Sequence, residues 1–334
     1  MIFGSFHAAF PMGDASRVGE ARRHAAQLAG ECGLDELQSG RLAIIVTELA
    51  TNLVRHAQGG QLLLSARPAR REVEVIALDT GPGIPDVERC LDDGFSTGGT
   101  SGTGLGAVRR LAQSFDLHSS VPEGTVVVAR VRPEDARREP SAVCVGAVSL
   151  AAPGERVCGD GWGFALDGDR AAMMVVDGLG HGPDAAEAAQ AALASFAEQP
   201  MDSPREQLQQ AHQRLRATRG AAVMVLQADT GAGMVRSAGA GNVMARLLSG
   251  VSDRTLLCQQ GTAGVTMRTP EEANTAWPPH AMLVVFSDGI ESRWKPEELV
   301  PMLGRDPTLA AAVLARDHCR GRDDATVAVL RRRD

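Results

Sequence analysis

The chain has no tyrosine among its 334 residues, and aromatic residues make up only 3% of it. That scarcity argues against stacking platforms for single-stranded nucleic acid and against aromatic cages for quaternary ammonium groups. Lysine is nearly absent as well: Lys295 is the only one, so arginine carries almost all of the positive charge. The formal net charge is −7, and both halves are mildly acidic. No basic block exists of the kind that nucleic acid or an anionic membrane surface would require. The six cysteines (Cys32, Cys90, Cys144, Cys158, Cys258 and Cys319) show no Cys-x-x-Cys spacing. A zinc site or a disulfide framework is therefore not expected, and reduced, mostly buried thiols are. The N-terminus lacks the charged segment and continuous apolar stretch of a secretory leader. Long apolar runs are missing too: the best helical candidate, residues 42–54, is interrupted by Glu48 and Asn52 and is too short to cross a bilayer. A cytoplasmic protein is expected.

What is present is 44% apolar residues and 37 glycines, a composition suited to a soluble mixed α/β chain with many tight turns. The length fits about two domains of roughly 100–200 residues each. Helices are expected over residues 14–30 and 35–57, followed by strands at 61–66 and 72–78 and a glycine-rich stretch, 79–106. A helix over 105–114 and strands at 115–120 and 124–131 follow, an α+β pattern. Residues 133–141 are charged and proline-bounded and read as a linker between domains at 1–132 and 142–334. Beyond it, strands are expected at 142–150, 163–166, 171–176, 221–229, 233–238, 242–248, 281–287 and 326–330. Helical segments are expected at 183–198, 203–218, 297–303 and 307–316. Such a pattern suggests two sheets packed face to face and covered by helices.

In the first half, Glu48, Asn52 and His56 recur at every fourth position and share one helix face. Taken alone, such a stripe reads as a solvated face, but its context argues otherwise. Asp79-Thr80-Gly81-Pro82-Gly83-Ile84 follows, and then Gly102-Thr103-Gly104-Leu105-Gly106 at the start of a helix. A strand-end carboxylate can accept from an adenine amine, glycines let the backbone approach the base, and a helix N-terminus offers N–H donors to phosphates. These three motifs in this order resemble the N, G1 and G2 boxes of the GHKL ATPases, and in detail the small serine kinases of bacterial partner-switching systems, the RsbT and RsbW group. The resemblance covers residues 8–131. It implies an ATP site with Glu48 as general base, Asn52 as Mg²⁺ ligand and Asp79 as adenine reader. Gly81, Gly83, Gly102, Gly104 and Gly106 would shape the lid and phosphate loop. No lysine is available for the γ-phosphate; Arg89, Arg109 and Arg110 are the candidates to replace it.

In the second half, two apolar runs each stop on an Asp-Gly pair, Asp177-Gly178 and Asp288-Gly289. A third acidic station, Asp323-Asp324-Ala325-Thr326, precedes the last apolar run. Carboxylates delivered at strand ends suggest convergence on a divalent-metal site. Together with Cys158-Gly159-Asp160-Gly161-Trp162 and Val176-Asp177-Gly178-Leu179-Gly180-His181-Gly182, the ordered set resembles the metal-dependent PPM protein phosphatases, specifically their SpoIIE-like branch and its RsbX-type members. The resemblance covers residues 142–332. It implies two Mn²⁺ or Mg²⁺ ions sharing a water, with Asp177 bridging both and the Gly178 carbonyl on one. Asp288 and Asp323 would complete the other ion, and Asp160 would act through bound water. Asp323 is preferred to Asp324 because it follows Arg322, as the family's last ligand does. His181 is open between general acid and loop geometry, and Arg156 is the nearest candidate phosphate clamp.

The combined resemblance implies an α+β two-domain chain, a GHKL (Bergerat) α/β sandwich followed by a PPM-type α-β-β-α sandwich. Its expected function is a bifunctional switch in a partner-switching pathway. The first domain would phosphorylate a serine or threonine of a STAS-type (anti-sigma antagonist) protein, and the second would remove that phosphate. The alternative is that the ATP domain is a non-catalytic module, sequestering a sigma factor or another phosphatase, or acting as an ATP sensor for the phosphatase.

Overall fold

A computed structural model of the chain describes residues 2–91, 104–136 and 141–333. It divides into two compact units, His7–Arg138 and a second made of Met1–Phe6 with Glu139–Asp334. The expected first domain included residues 1–6. They belong instead to the second unit, because β1 (Ile2–Phe3) pairs antiparallel with a strand there.

The first unit runs β2 (Ala8–Pro11), α1 (Ser16–Glu31), α2 (Glu36–His56), β3 (Gln61–Arg67), β4 (Glu72–Asp79), α3 (Val87–Leu91), α4 (Gly104–Leu111), β5 (Ser114–Ser120) and β6 (Gly124–Val131). α2 starts where the sequence supplies a reciprocal cap. Asp35 Oδ1 accepts from the Gln38 N–H at 2.8 Å, and Gln38 Oε1 accepts from the Asp35 N–H at 2.9 Å. One face of α2 buries Leu42, Ile45, Val46, Leu49 and Leu53 at helical spacing. These meet Leu62, Leu64, Val73, Val75, Val127 and Ala129, alternate residues of the antiparallel sheet β2-β3-β4-β6-β5. The opposite parity of β4 carries Glu72 and Glu74, both buried. Glu74 accepts from Arg67 Nη2 and from Arg130 Nε, each at 2.6 Å, and lies 3.2 Å from His7 Nε2. Arg132 Nη1 reaches Glu72 at 3.0 Å. Burial would raise the Glu74 pKa, but the Arg67 and Arg130 guanidinium groups outweigh it and hold the carboxyl well below the ordinary range.

The second unit continues with β7 (Val143–Leu150), β8 (Asp160–Asp167), β9 (Arg170–Gly178), α5 (Pro183–Glu198), α6 (Pro204–Leu215), β10 (Ala221–Asp229), β11 (Met234–Ala240) and β12 (Met244–Leu248). Then come β13 (Asp253–Leu256), β14 (Gly261–Thr262), β15 (Thr266–Met267), β16 (Ala273–Ala276), β17 (Met282–Phe286), α7 (Pro307–His318) and β18 (Ala325–Arg332). One sheet is ordered β1-β8-β9-β10-β11-β16, the other β13-β12-β17-β18-β7, and β14 pairs with β15 alone. β9 shows why its sequence is apolar throughout. Met173 and Val175 face the core between the sheets, while Met174 and Val176 face α5 and α6. α7 seats against β7, where a Cβ at Gly146 would lie 2.3 Å from the Thr308 backbone nitrogen. The result is the expected α-β-β-α layering.

Differences from the expected elements have local causes. β8 begins at Asp160 rather than 163, because Gly161 and Gly163 continue the ladder with β9. The segment expected as a helix at 297–303 forms two short 3₁₀ turns, Pro296–Glu298 and Val300–Met302, since Pro296 and Pro301 lack N–H groups. All six cysteines are free. Among the described residues, no helix is long and apolar enough to cross a membrane.

Candidate nucleotide site and candidate metal centre

In the first unit, Glu48 and Asn52 stand one turn apart on α2, about 6 Å along its axis. Both are half-buried, and His56 at the helix end is exposed. Asn52 meets the start of α4: a Cβ at Gly104 would lie 3.9 Å from Asn52 Nδ2. The second and third motifs' elements thus converge on the first motif's helix. Gly104 and Gly106 form the first turn of α4, while Gly102 lies outside the described residues. Asp79 ends β4, and its Oδ1 accepts from the Gly81 N–H at 2.7 Å. Gly83 has φ 73°, and a Cβ there would lie 2.3 Å from the Ser120 carbonyl oxygen. The backbone after Asp79 is therefore pressed flat against the β5–β6 turn.

Sequence reasoning missed Thr125, which sits directly opposite Asp79 in the β4–β6 ladder. Its hydroxyl is 2.8 Å from Ser119 Oγ, and the Ile84 N–H donates to Ser119 Oγ at 2.8 Å. This group joins the glycine-rich turn to the sheet edge at Asp79. Arg109 and Arg110 lie in the last turn of α4, away from its N-terminus, and Arg109 Nη2 donates to the Leu91 carbonyl at 3.2 Å.

In the second unit, the acidic motifs converge through the sheets. Asp160 and Asp177 are register partners across β8 and β9. Their parity matches Trp162, Phe164, Met173 and Val175, so both carboxylates face the space between the sheets. From the other sheet, Asp288 follows β17 and Asp323 precedes β18, two neighbouring strands. Burial, then Asp288 and Asp323, push the Asp177 pKa up to about 7. Burial and the Asp177 charge likewise push Asp160 up. Asp160 Oδ1 is buried with no hydrogen-bond partner among the described residues. Gly178 is held close, since a Cβ there would lie 2.2 Å from the Ala185 carbonyl oxygen.

Asp323 and Asp324 both act electrostatically on Asp177 and differ in burial. Asp324 is buried, and its Oδ1 accepts from the Ala152 N–H at 2.8 Å, lashing the loop before β8 to β18. Asp323 is half-buried and lies within electrostatic reach of Asp177. Asn242 was not anticipated: its Nδ2 donates to Asp288 Oδ2 at 2.6 Å, and only the β11–β12 turn brings it there. His181 is exposed and paired through Nδ1 to Glu155 Oε1 at 2.7 Å. Arg156 is exposed. Another cation is nearer the Asp-Gly loop: Arg219 pairs with Asp184 at 2.5 Å, and a Cβ at Gly180 would lie 3.5 Å from its Nη1.

Comparison with known proteins matches the same two regions. Residues 12–131 match the histidine kinase-like ATPase domain family, and residues 167–333 match the family of stage II sporulation protein E (SpoIIE). The chain belongs to the SpoIIE phosphatase family. Its first unit is a histidine kinase-like ATPase domain that is 38% identical, over 111 residues, to the serine/threonine-protein kinase RsbT of Bacillus subtilis (strain 168). That alignment covers 33% of this chain and 84% of RsbT. Among solved structures, a chain from work on the bacterial stressosome as a modular system adapted to control secondary messenger signalling is 28% identical, with TM-score 0.54. It aligns over 57% of this chain and 99% of its own length. RsbX in complex with magnesium shares the fold at 18% identity and TM-score 0.53, over 59% of this chain and 98% of that one.

The side chains of this SpoIIE-family unit fit divalent cations. Asp160, Asp177, Asp288 and Asp323 gather at strand ends of the sandwich, burial and neighbouring charges push Asp160 and Asp177 up, and Asp160 Oδ1 is buried with no hydrogen-bond partner among the described residues. Among the described residues, no three of His, Cys, Asp and Glu stand close enough as placed to hold a metal ion between them. An open acidic set of this kind suits hard ions that keep several waters. In the ATPase unit, the Gly81 backbone beside Asp79 and the Gly104 backbone beside Asn52 offer the kind of close approach that a nucleotide needs.

Proposed function

We propose that the chain is a two-way phosphorylation switch in a partner-switching pathway, acting in the cytoplasm. The ATPase unit transfers the γ-phosphoryl group of ATP to a serine or threonine of a small STAS-type partner. Glu48 accepts the hydroxyl proton, Asn52 holds Mg²⁺, and Asp79 accepts from the adenine amine. The Gly81–Gly83 turn lets the base approach the sheet, and Gly104 and Gly106 at the start of α4 present backbone N–H groups to the phosphates.

The SpoIIE-type unit removes phosphate from the same protein or from a companion. Asp160, Asp177, Asp288, Asp323 and the Gly178 carbonyl would hold two Mn²⁺ or Mg²⁺ ions. When bound, such ions supply an activated water and offset the charge of the phosphoryl oxygens. Asn242 keeps Asp288 turned toward the ions. The observation that supports this reading is that one chain carries both motif sets, with Asn52 beside the start of α4 in one unit and Asp160, Asp288 and Asp323 acting electrostatically with Asp177 in the other. Two opposed activities running together would only consume ATP, so partner binding must favour one at a time.

The test measures kinase and phosphatase rates on one purified STAS-type partner. Asn52→Ala should abolish phosphorylation and spare dephosphorylation, and Asp177→Ala should do the reverse. If neither variant changes the partner's phosphorylation, the reading fails. If Glu48→Gln leaves both rates unchanged and still captures the partner, the ATPase unit is a binding module.

A further inference from the structure

The two sheets of the phosphatase unit are tied together directly behind Asp160. Ser287, the residue after β17, is fully buried. Its hydroxyl is committed on both sides. The Thr326 N–H donates to Ser287 Oγ at 2.9 Å, so the single hydroxyl proton is directed to Asp160 Oδ2, 2.6 Å away. The Ser287 N–H in turn donates to the Thr326 carbonyl at 3.0 Å, which fixes the residue against β18. Thr326 is anchored as well, its Oγ1 lying 2.7 Å from Ser149 Oγ on β7. This chain of hydroxyls starts in one sheet and ends on a carboxylate of the other.

The consequence for Asp160 is an asymmetric carboxylate. Oδ2 accepts from Ser287, whereas Oδ1 is buried and has no hydrogen-bond partner among the described residues. We propose that Ser287 is a positioning residue for Asp160, pinning one carboxylate oxygen so that the other faces the cation site as an ionised acceptor. The inference rests on the metal-dependent phosphatase reading. It gives the two polar residues of Ser287-Asp288-Gly289 separate tasks. Asp288 approaches the ions from its own sheet, while Ser287 reaches across the sandwich to orient the carboxylate of the opposite one. A hydroxyl serving only the fold could bond any buried acceptor. This one ends on an acid surrounded by other acids, where a charge-assisted bond favours the ionised form.

The test is a double-mutant cycle read by calorimetric Mn²⁺ titration of the full chain, with the melting temperature of each metal-free variant recorded beside it. Ser287→Ala should weaken Mn²⁺ binding by roughly 10–100-fold, the usual effect of removing an outer partner of a metal-ligating group. In an Asp160→Asn background the same change should add less than about threefold, because Ser287 would act only through Asp160. Ser287→Cys, which fills the space with a weak donor, carries the same expectation should the alanine variant fold poorly. Wild-type affinity in folded Ser287→Ala or Ser287→Cys overturns the proposal. So does an equal loss in both backgrounds, which would assign Ser287 to the fold alone. If the wild-type chain binds no Mn²⁺, or Asp177→Asn binds it as tightly as wild type, the metal reading itself fails and this inference goes with it.

Discussion

Each unit gathers a cluster of carboxylates around at least one buried acid, and the two clusters are solved in opposite ways. In the ATPase unit, Glu72 and Glu74 are matched from within by Arg67, Arg130 and Arg132, and Glu74 is held well below the ordinary carboxylate range. In the phosphatase unit, Asp160, Asp177, Asp288 and Asp323 face one another, and Asp177 is pushed up to about 7. Glu72, Glu74 and Asp160 are all buried; the difference lies in where the positive charge comes from. A cluster that brings its own cations is finished when the chain folds. A cluster of acids without them is complete only when cations arrive from outside, which is why the second reads as a site and the first as structure.

The comparison is broken most sharply by removing one acid from each cluster. Asp177→Asn should eliminate Mn²⁺ binding and lower phosphatase turnover by about 10³-fold or more, since metal activation supplies several kcal/mol. In the metal-free protein the same change relieves repulsion. It should raise the melting temperature of that unit by roughly 2–4 °C, the shift that about 1 kcal/mol makes in a domain of this size. Glu74→Ala should do the reverse. It removes the shortest ion-pair contacts of the buried Arg67 and Arg130, leaving Glu72 at 3.4 and 3.9 Å, at a cost of about 3–5 kcal/mol to the ATPase unit. The pH dependence has a definite sign. Because folding lowers the Glu74 pKa from its ordinary 4.5, the stabilisation is present above that value. It is lost as pH falls below it toward the folded value. Two-transition calorimetry from pH 7 downward checks this: the ATPase transition should fall in acid, and Glu74→Ala should flatten that fall. A wild-type melting temperature in Glu74→Ala would contradict the contrast between the clusters.

A second contrast concerns how each unit holds its strand-end aspartate. Asp79 depends on a backbone that can come close, whereas Asp177 depends on charge. Gly124 has φ 100°, and a Cβ there would lie 2.1 Å from the Asp79 carbonyl oxygen. Gly124→Ala should therefore cost roughly 1–3 kcal/mol in local strain and displace Asp79. ATP affinity should drop by about tenfold or more, measured by titration with a non-hydrolysable analogue. Mn²⁺ binding in the other unit should not change. An unchanged nucleotide affinity would show that Asp79 does not rely on this turn.

Most of the architecture was legible because its signals are local. The Asp35 cap, the alternating faces of β9 and the acidic stations at strand ends can each be read within a few residues. What was not legible came from pairing across long separations. Thr125 gains its place only by lying opposite Asp79, Asn242 only by the β11–β12 turn, and Ser287 only by bonding Asp160 across the sandwich. The first six residues read as part of the ATPase domain because chain order suggests it, whereas β1 is claimed by the edge of β8, with the Gly4 N–H donating to the Trp162 carbonyl at 3.0 Å. The choice between Asp323 and Asp324 rested on a motif. The structure shows that one oxygen of Asp324 is engaged with Ala152 and that both acids act on Asp177.

The smallest expected effect concerns His181, whose role the sequence left open. The Glu155 carboxylate, bonded to Nδ1, raises the His181 pKa above its ordinary value of 6.5. His181 therefore stays protonated to higher pH than an isolated histidine would. Glu155→Gln should lower that pKa toward the ordinary value, visible as a downfield-to-upfield transition moving to lower pH in a histidine NMR titration. If the His181 proton reaches the leaving serine oxygen, the alkaline limb of phosphatase turnover should move down with it. The loss at neutral pH should stay below about tenfold, well short of the 10²–10⁴ of a general acid removed outright. A limb that stays in place while the NMR pKa shifts would leave His181 as a loop residue, held by Glu155 between two glycines. In that case the phosphatase site, like the buried arginine cluster of the other unit, would use this ion pair for geometry alone.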